Sequence, residues 1–143
     1  LETGKYALGG VAPNGRGVMH CYAELHVPAD FDVDVMVKTS FLVMDMVMTD
    51  PAAAKNGLLW VCWMQNTGWK NFDVRYQRRI VQVFEVFGDA AMNMLGDMHL
   101  VSSPWWVRLA LAICRPIIGP EIMKVIKSQT PPEVEEELGD SLQ

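Results

Sequence analysis

The chain has 143 residues, 50% of them apolar and 20% charged, and a formal net charge of −5. That length supports one domain with a real core, and the apolar share excludes a disordered chain, which needs low hydrophobicity and high charge. The acidic balance, with no basic patch on any segment, argues against nucleic-acid binding and leaves apolar side chains to carry any contact with anionic membranes.

Residues 1–14 contain Gly4, Gly9, Gly10, Pro13 and Asn14 and read as an N-terminal loop, with a turn at Pro13-Asn14-Gly15. Gly17 to Leu25 reads as a strand that ends before Pro28. Phe31 to Met48 is too long for a strand, although Val33, Val35 and Val37 alternate with polar residues; it predicts a helix capped by Asp30. Phe31, Val35, Leu42 and Met46 would form its apolar face, and Thr49-Asp50-Pro51 would end it.

Gly57 to Met64 is short and almost wholly apolar, the mark of a strand buried on both faces in a parallel sheet. After the turn Asn66-Thr67-Gly68, Asn71 or Asp73 caps a helix running to about Phe87. Its Val74, Ile80, Val81, Phe84 and Phe87 fall at helical intervals, with Arg75, Arg78 and Arg79 largely on the other side. Asp97 to Ser102 is a third strand, and Pro104 stands where a helix's first turn tolerates it. The helix continues through Cys114, Pro116 breaks or kinks it, and Gly119-Pro120 starts a short helix to about Lys127. The tail from Gln129 to Gln143, rich in Pro and Glu, would wrap the surface. Strand and helix alternating three times predicts an α/β fold with a mostly parallel sheet and crossover helices.

The residues support no catalytic machinery. Cys21, Cys62 and Cys114 are odd in number and widely spaced, so neither a zinc site nor a disulfide framework is suggested, and reduced thiols fit a cytosolic chain. Cys62 has no basic neighbour in sequence to activate it. His20, His26 and His99 make no metal-ligand spacing, and no GxSxG elbow, P-loop or GxGxxG is present. The expectation is no metal, no cofactor and no enzyme activity. The longest apolar stretch, Pro104 to Ile118, carries Arg108 and Arg115 and is too short to span a membrane.

A series of motifs then runs in order. Gly68-Trp69-Lys70-Asn71-Phe72-Asp73 leads into the second helix, Ala91-Met92-Asn93-Met94-Leu95-Gly96 precedes the third strand, and Ser102-Ser103-Pro104-Trp105 opens the next helix. Arg115-Pro116-Ile117-Ile118 marks its bend, Gly15-Arg16-Gly17-Val18 lies upstream, and Leu138-Gly139 lies downstream. Through these motifs residues 15–139 resemble the CRAL-TRIO lipid-binding domain of the yeast phosphatidylinositol-transfer-protein-like family, with residues 1–14 as a leading loop and 140–143 as a tail. The resemblance implies an apolar cavity between the sheet and a mobile gate helix that begins at Pro104. The family usually carries a helical segment before this domain, so the chain is expected to be one part of a longer protein.

The implied function is binding and transfer of a hydrophobic lipid between membranes. The alternative is a cargo-free membrane-tethering or protein-interaction module on the same fold. The implied lipid-binding residues are Trp60, Cys62, Met64, His99 and Val101 on the strands, and Trp106, Leu109, Ala110, Ile113 and Ile117 on the gate. Trp105 and Trp106 would meet the membrane. The expected partners are a hydrophobic lipid, transient membrane contact, and a protein partner or further domains, with no nucleic acid; the expected location is cytoplasmic and peripheral to membranes. Phosphatidylinositol-binding members hold the headgroup with strand hydroxyls, but Leu58 and Trp60, or Trp60 and Cys62, stand at those positions. The family's gate-region Glu falls on Asn93, and its Lys matches Lys124 only with a one-residue shift. A neutral apolar ligand is therefore favoured over a phosphoinositide.

Overall fold

The structure, a computed structural model, describes residues 4–139, apart from the side chains of Ala91 and Met92. Five strands form one sheet in chain order: β1 (Tyr6–Val11), β2 (Gly17–Tyr22), β3 (Leu58–Trp63), β4 (Asp97–Val101) and β5 (Ile126–Gln129). β1 pairs antiparallel with β2, and every other neighbouring pair is parallel. The mostly parallel α/β sheet is thus as expected.

Strand alternation divides the interior in two. Met19 and Cys21, Leu58, Trp60 and Cys62, and Leu100 share one face with the buried sides of α1 (Val33–Val47), α3 (Val74–Phe87) and α5 (Trp106–Val125). Val18, Leu59, Val61 and Val101 share the other with Val134 and Leu138 of α6 (Pro131–Leu138). Two short helices, α2 (Pro51–Asn56) and α4 (Asp89–Leu95), lead into β3 and β4.

Several local expectations are corrected. The N-terminal segment is not loop throughout: Tyr6–Val11 is the edge strand β1, anchored by buried Tyr6 opposite Cys21, and its glycines sit where the register shifts between Leu8 and Val11. The cap of α1 is Asp32, whose carboxylate accepts from the N–H groups of Asp34 and Val35, and not Asp30. The buried face of α1 is Met36, Val37, Ser40, Val43, Met44 and Val47; Val35, Leu42 and Met46 of the predicted face are exposed. Asp50 ends α1 and also caps α2, with Pro51 at the first position. At α3 the cap is Asp73, one of the two residues expected there.

Pro116 does not end α5. The helical axis breaks at Gly119, whose φ of 76° and ψ of 162° leave the helical region. The chain leaves helix after Val125, and Ile126–Gln129 pairs parallel with β4, which gives the open backbone edge of β4 its hydrogen bonds. The tail is likewise not a surface wrap through Leu138. It forms α6, started by Glu133, which accepts from the backbone N–H of Thr130 at 2.7 Å and from its hydroxyl at 2.8 Å. Residues 140–143 of the expected tail lie outside the described residues.

Candidate lipid cavity

A cavity of about 170 Å³ lies between the first face of the sheet and the helices α3 and α5. Its floor is Cys21 of β2, Trp60 and Cys62 of β3, and Met98 and Leu100 of β4. Tyr76, Ile80 and Phe84 form the α3 wall; Trp106, Ala110, Cys114 and Ile118 form the α5 wall. The spacing of these positions on each helix is the spacing of one apolar face.

One end of the cavity is polar and comes from elements with no shared sequence signal: Lys5, His26, Asn71 and Asp73. Lys5 is buried, its ammonium donates to His26 Nδ1 at 2.9 Å, and it stands over the rings of Tyr76 and Tyr6 at 4.8 and 5.1 Å from their centroids. Burial pushes the Lys5 ammonium pKa down. Burial, with help from the Lys5 charge, lowers His26 to about 4, so its ring is neutral near pH 7. Burial also disfavours the Asp73 carboxylate, but the Arg75 guanidinium outweighs it, donating through Nε at 3.1 Å and Nη2 at 3.0 Å, and the net pKa lies below the usual range. Tyr6 and Tyr76 share a hydroxyl–hydroxyl bond of 2.8 Å. Asn71 donates to the carbonyls of Glu24 at 3.0 Å and His26 at 2.9 Å and accepts from the Gly68 N–H at 2.9 Å.

Cys21 and Cys62 are register partners on adjacent parallel strands, so their thiols lie side by side on the floor. A hydrogen bond between them, with burial, pushes the Cys62 thiol up, while the same bond draws Cys21 down. Trp60 is 3% exposed, and its indole Nε1 has no oxygen or nitrogen hydrogen-bond partner among the described residues, only the Cys21 sulfur beside it.

Of the residues expected to hold lipid, Trp60, Cys62, Met64, Trp106 and Ala110 meet at this cavity. His99 and Val101 do not: on β4 it is Met98 and Leu100 that face the cavity, and the intervening residues point through the sheet. His99 is wholly buried there, with Nδ1 3.5 Å from Glu137 Oε2 on α6. Leu109 and Ile113 turn outward, 50% and 48% exposed, and with Trp105 at 78% they form an apolar stripe on the outside of α5. Ile117 is half-buried off the cavity, and its neighbour Ile118 lines it instead. Trp106, expected also at the membrane, is buried and donates from Nε1 to the Thr67 carbonyl at 3.2 Å. The sequence reading missed Lys5, Tyr76, Phe84, Met98 and Leu100; for the last two the signal was the β4 alternation taken in the opposite phase.

Among the described residues, no helix is long and apolar enough to cross a membrane. A family model described as the CRAL/TRIO domain matches residues 1–142. Among solved structures, the chain is similar to yeast Sfh5, with a TM-score of 0.71 at 11% identity, over 92% of this chain and 48% of Sfh5. The chain therefore spans about half the length of that relative. A search of curated proteins by sequence found no match.

Proposed function

The chain belongs to the CRAL/TRIO domain family, and from that premise we propose that it shelters one hydrophobic lipid between the sheet and α5 and carries it between membranes. It acts as a carrier and not as an enzyme, and its membrane contact is transient, peripheral and cytoplasmic. The observation that carries this reading is the two-sided character of α5. Trp106, Ala110, Cys114 and Ile118 line the cavity, while Trp105, Leu109 and Ile113 lie exposed on the opposite side. A helix apolar on both sides is suited to stand between a lipid cavity and a bilayer.

At about 170 Å³ the cavity is below the roughly 300 Å³ where small-molecule pockets begin. Loading an acyl chain therefore requires α5 to move outward. Two positions with left-handed backbone flank the moving segment: Ser102, before the helix, has a φ of 56°, and Gly119, where the helical axis breaks, has a φ of 76°. Each methylene then buried stabilises the complex by about 0.8 kcal/mol.

A neutral ligand fits better than an inositide. Trp60 and Cys62 occupy the floor without hydroxyls, Asn93 is exposed, and Lys124 is 67% exposed and bonded to Glu121 at 2.8 Å. The small volume favours a second reading, a cargo-free tethering module. Transfer of a fluorescent lipid from donor to acceptor vesicles separates the two: accelerated exchange supports the carrier, and vesicle binding without exchange supports the tether.

A further inference from the structure

We propose that the cavity selects an apolar chain carrying one hydrogen-bond-accepting oxygen, a carbonyl or ester, which takes a hydrogen bond from the indole N–H of Trp60, with the imidazole N–H of His26 as a second donor lining the same cavity. This rests on the lipid-binding reading above and names the class of lipid.

Donors and acceptors in the cavity do not balance. Indole nitrogen can only donate. Trp60 lies on the cavity floor, 3% exposed, and its Nε1 has no oxygen or nitrogen hydrogen-bond partner among the described residues. The group beside it is the Cys21 sulfur, a weak acceptor that does not replace an oxygen. His26 adds a second donor. Lys5 Nζ, which only donates, holds His26 Nδ1 at 2.9 Å, so in the neutral ring the proton sits on Nε2. Nε2 has no hydrogen bond among the described residues; the Asp73 Oδ2 atom is 3.8 Å away and already accepts from Arg75 Nη2 at 3.0 Å.

The acceptors at this end are committed elsewhere. Tyr6 and Tyr76 share one hydroxyl–hydroxyl bond, Tyr76 also bonds with Ser40, and the Asn71 carbonyl oxygen accepts from Gly68. What the cavity offers a ligand is thus N–H donation into an otherwise apolar space. A hydrocarbon leaves both donors unsatisfied, which is costly in a dry site. An alcohol brings a further donor that also needs an acceptor. A carbonyl or ester oxygen has two lone pairs and adds no donor.

The test uses a matched pair, 2-heptadecanone and heptadecane, loaded in equal amounts into phosphatidylcholine vesicles. The protein is incubated with them, reisolated and extracted, and the two compounds are quantified by mass spectrometry. The expected result is ketone enriched over alkane by roughly tenfold, the gain of about two modest hydrogen bonds. Trp60→Phe, which keeps the aromatic bulk, is expected to cut that enrichment roughly threefold, read as the ketone-to-alkane ratio within the same protein sample. Equal uptake of the two compounds by the wild-type chain overturns the inference and leaves lipid binding standing; that arm needs no variant to fold. An unchanged ratio in a Trp60→Phe protein of native circular dichroism also overturns it. Uptake of neither compound overturns the lipid-binding reading and this inference with it.

Discussion

Trp105 and Trp106 are adjacent in the chain and face different surroundings: Trp105 is 78% exposed at the start of α5, while Trp106 is 6% exposed and lies 5.3 Å, centroid to centroid, from the ring of Trp69. A step of one residue turns a helix by about 100°, enough to give one indole to the cavity wall and the other to the surface. Substitution separates them. Trp105→Ala is expected to weaken vesicle binding severalfold while stability stays within about 0.5 kcal/mol. Trp106→Ala is expected to destabilise by about 3–5 kcal/mol, read from urea unfolding. Equal effects of the two on stability would contradict this division.

Gly119 is the second point on α5 where a small change has a definite consequence. Its φ of 76° and ψ of 162° belong to a region that only glycine occupies readily. A Cβ there would meet nothing within 4 Å, so Gly119→Ala tests backbone conformation alone. The expected cost is about 1–3 kcal/mol, seen as a lowered thermal midpoint, together with an altered rate of lipid exchange. An unchanged midpoint would mean that the break is not held in this conformation.

Acid should weaken the fold through its buried histidines. In the folded chain His26 titrates at about 4, from an ordinary value of 6.5, because burial first and the Lys5 charge second disfavour its protonated form. The unfolded chain takes up that proton near pH 6.5. Stability is therefore complete above about pH 6.5 and falls as the pH drops toward about 4, where the folded state also protonates. Burial lowers His20 and His99 as well, and they act in the same direction. Urea midpoints at pH 7.5 and pH 5 are expected to differ, with His26→Asn showing a smaller difference; identical slopes in the two proteins would exclude His26 as a contributor.

The second face of the sheet depends on α6. Val134 and Leu138, one turn apart, are fully buried against Ala12, Val18, Leu59 and Val61. Leu138→Ala is expected to cost about 2–5 kcal/mol in chemical denaturation, although the residue sits far from the cavity. A loss below about 0.5 kcal/mol would mean that this face is closed without α6.

The strands and helices that can be read from sequence are those whose signals are local. β3 is an apolar run between Gly57 and the Asn66-Thr67-Gly68 turn, and α3 combines the Asp73 cap with apolar residues at helical spacing. α6 is hidden because Pro131, Pro132 and four glutamates surround its two inward residues, so its pattern looks solvated. β5 is hidden because Ile126-Lys127-Ser128-Gln129 holds one apolar residue and becomes a strand through the exposed edge of β4. Within the cavity, α5 supplies its wall near the positions expected, but the phase of its inward face and of β4 is set by tertiary packing. The polar end was illegible for the same reason: Lys5, His26 and Asp73 are joined only when β1, the loop before α1 and the start of α3 meet.

A lipid held between the sheet and α5 should stay with the protein through purification. The most direct measurement is organic extraction of the purified protein followed by mass spectrometry, with uptake from vesicles tested in parallel. The expected result is a stoichiometric, neutral, non-inositide lipid. A lipid-free protein that takes up none from vesicles would contradict it.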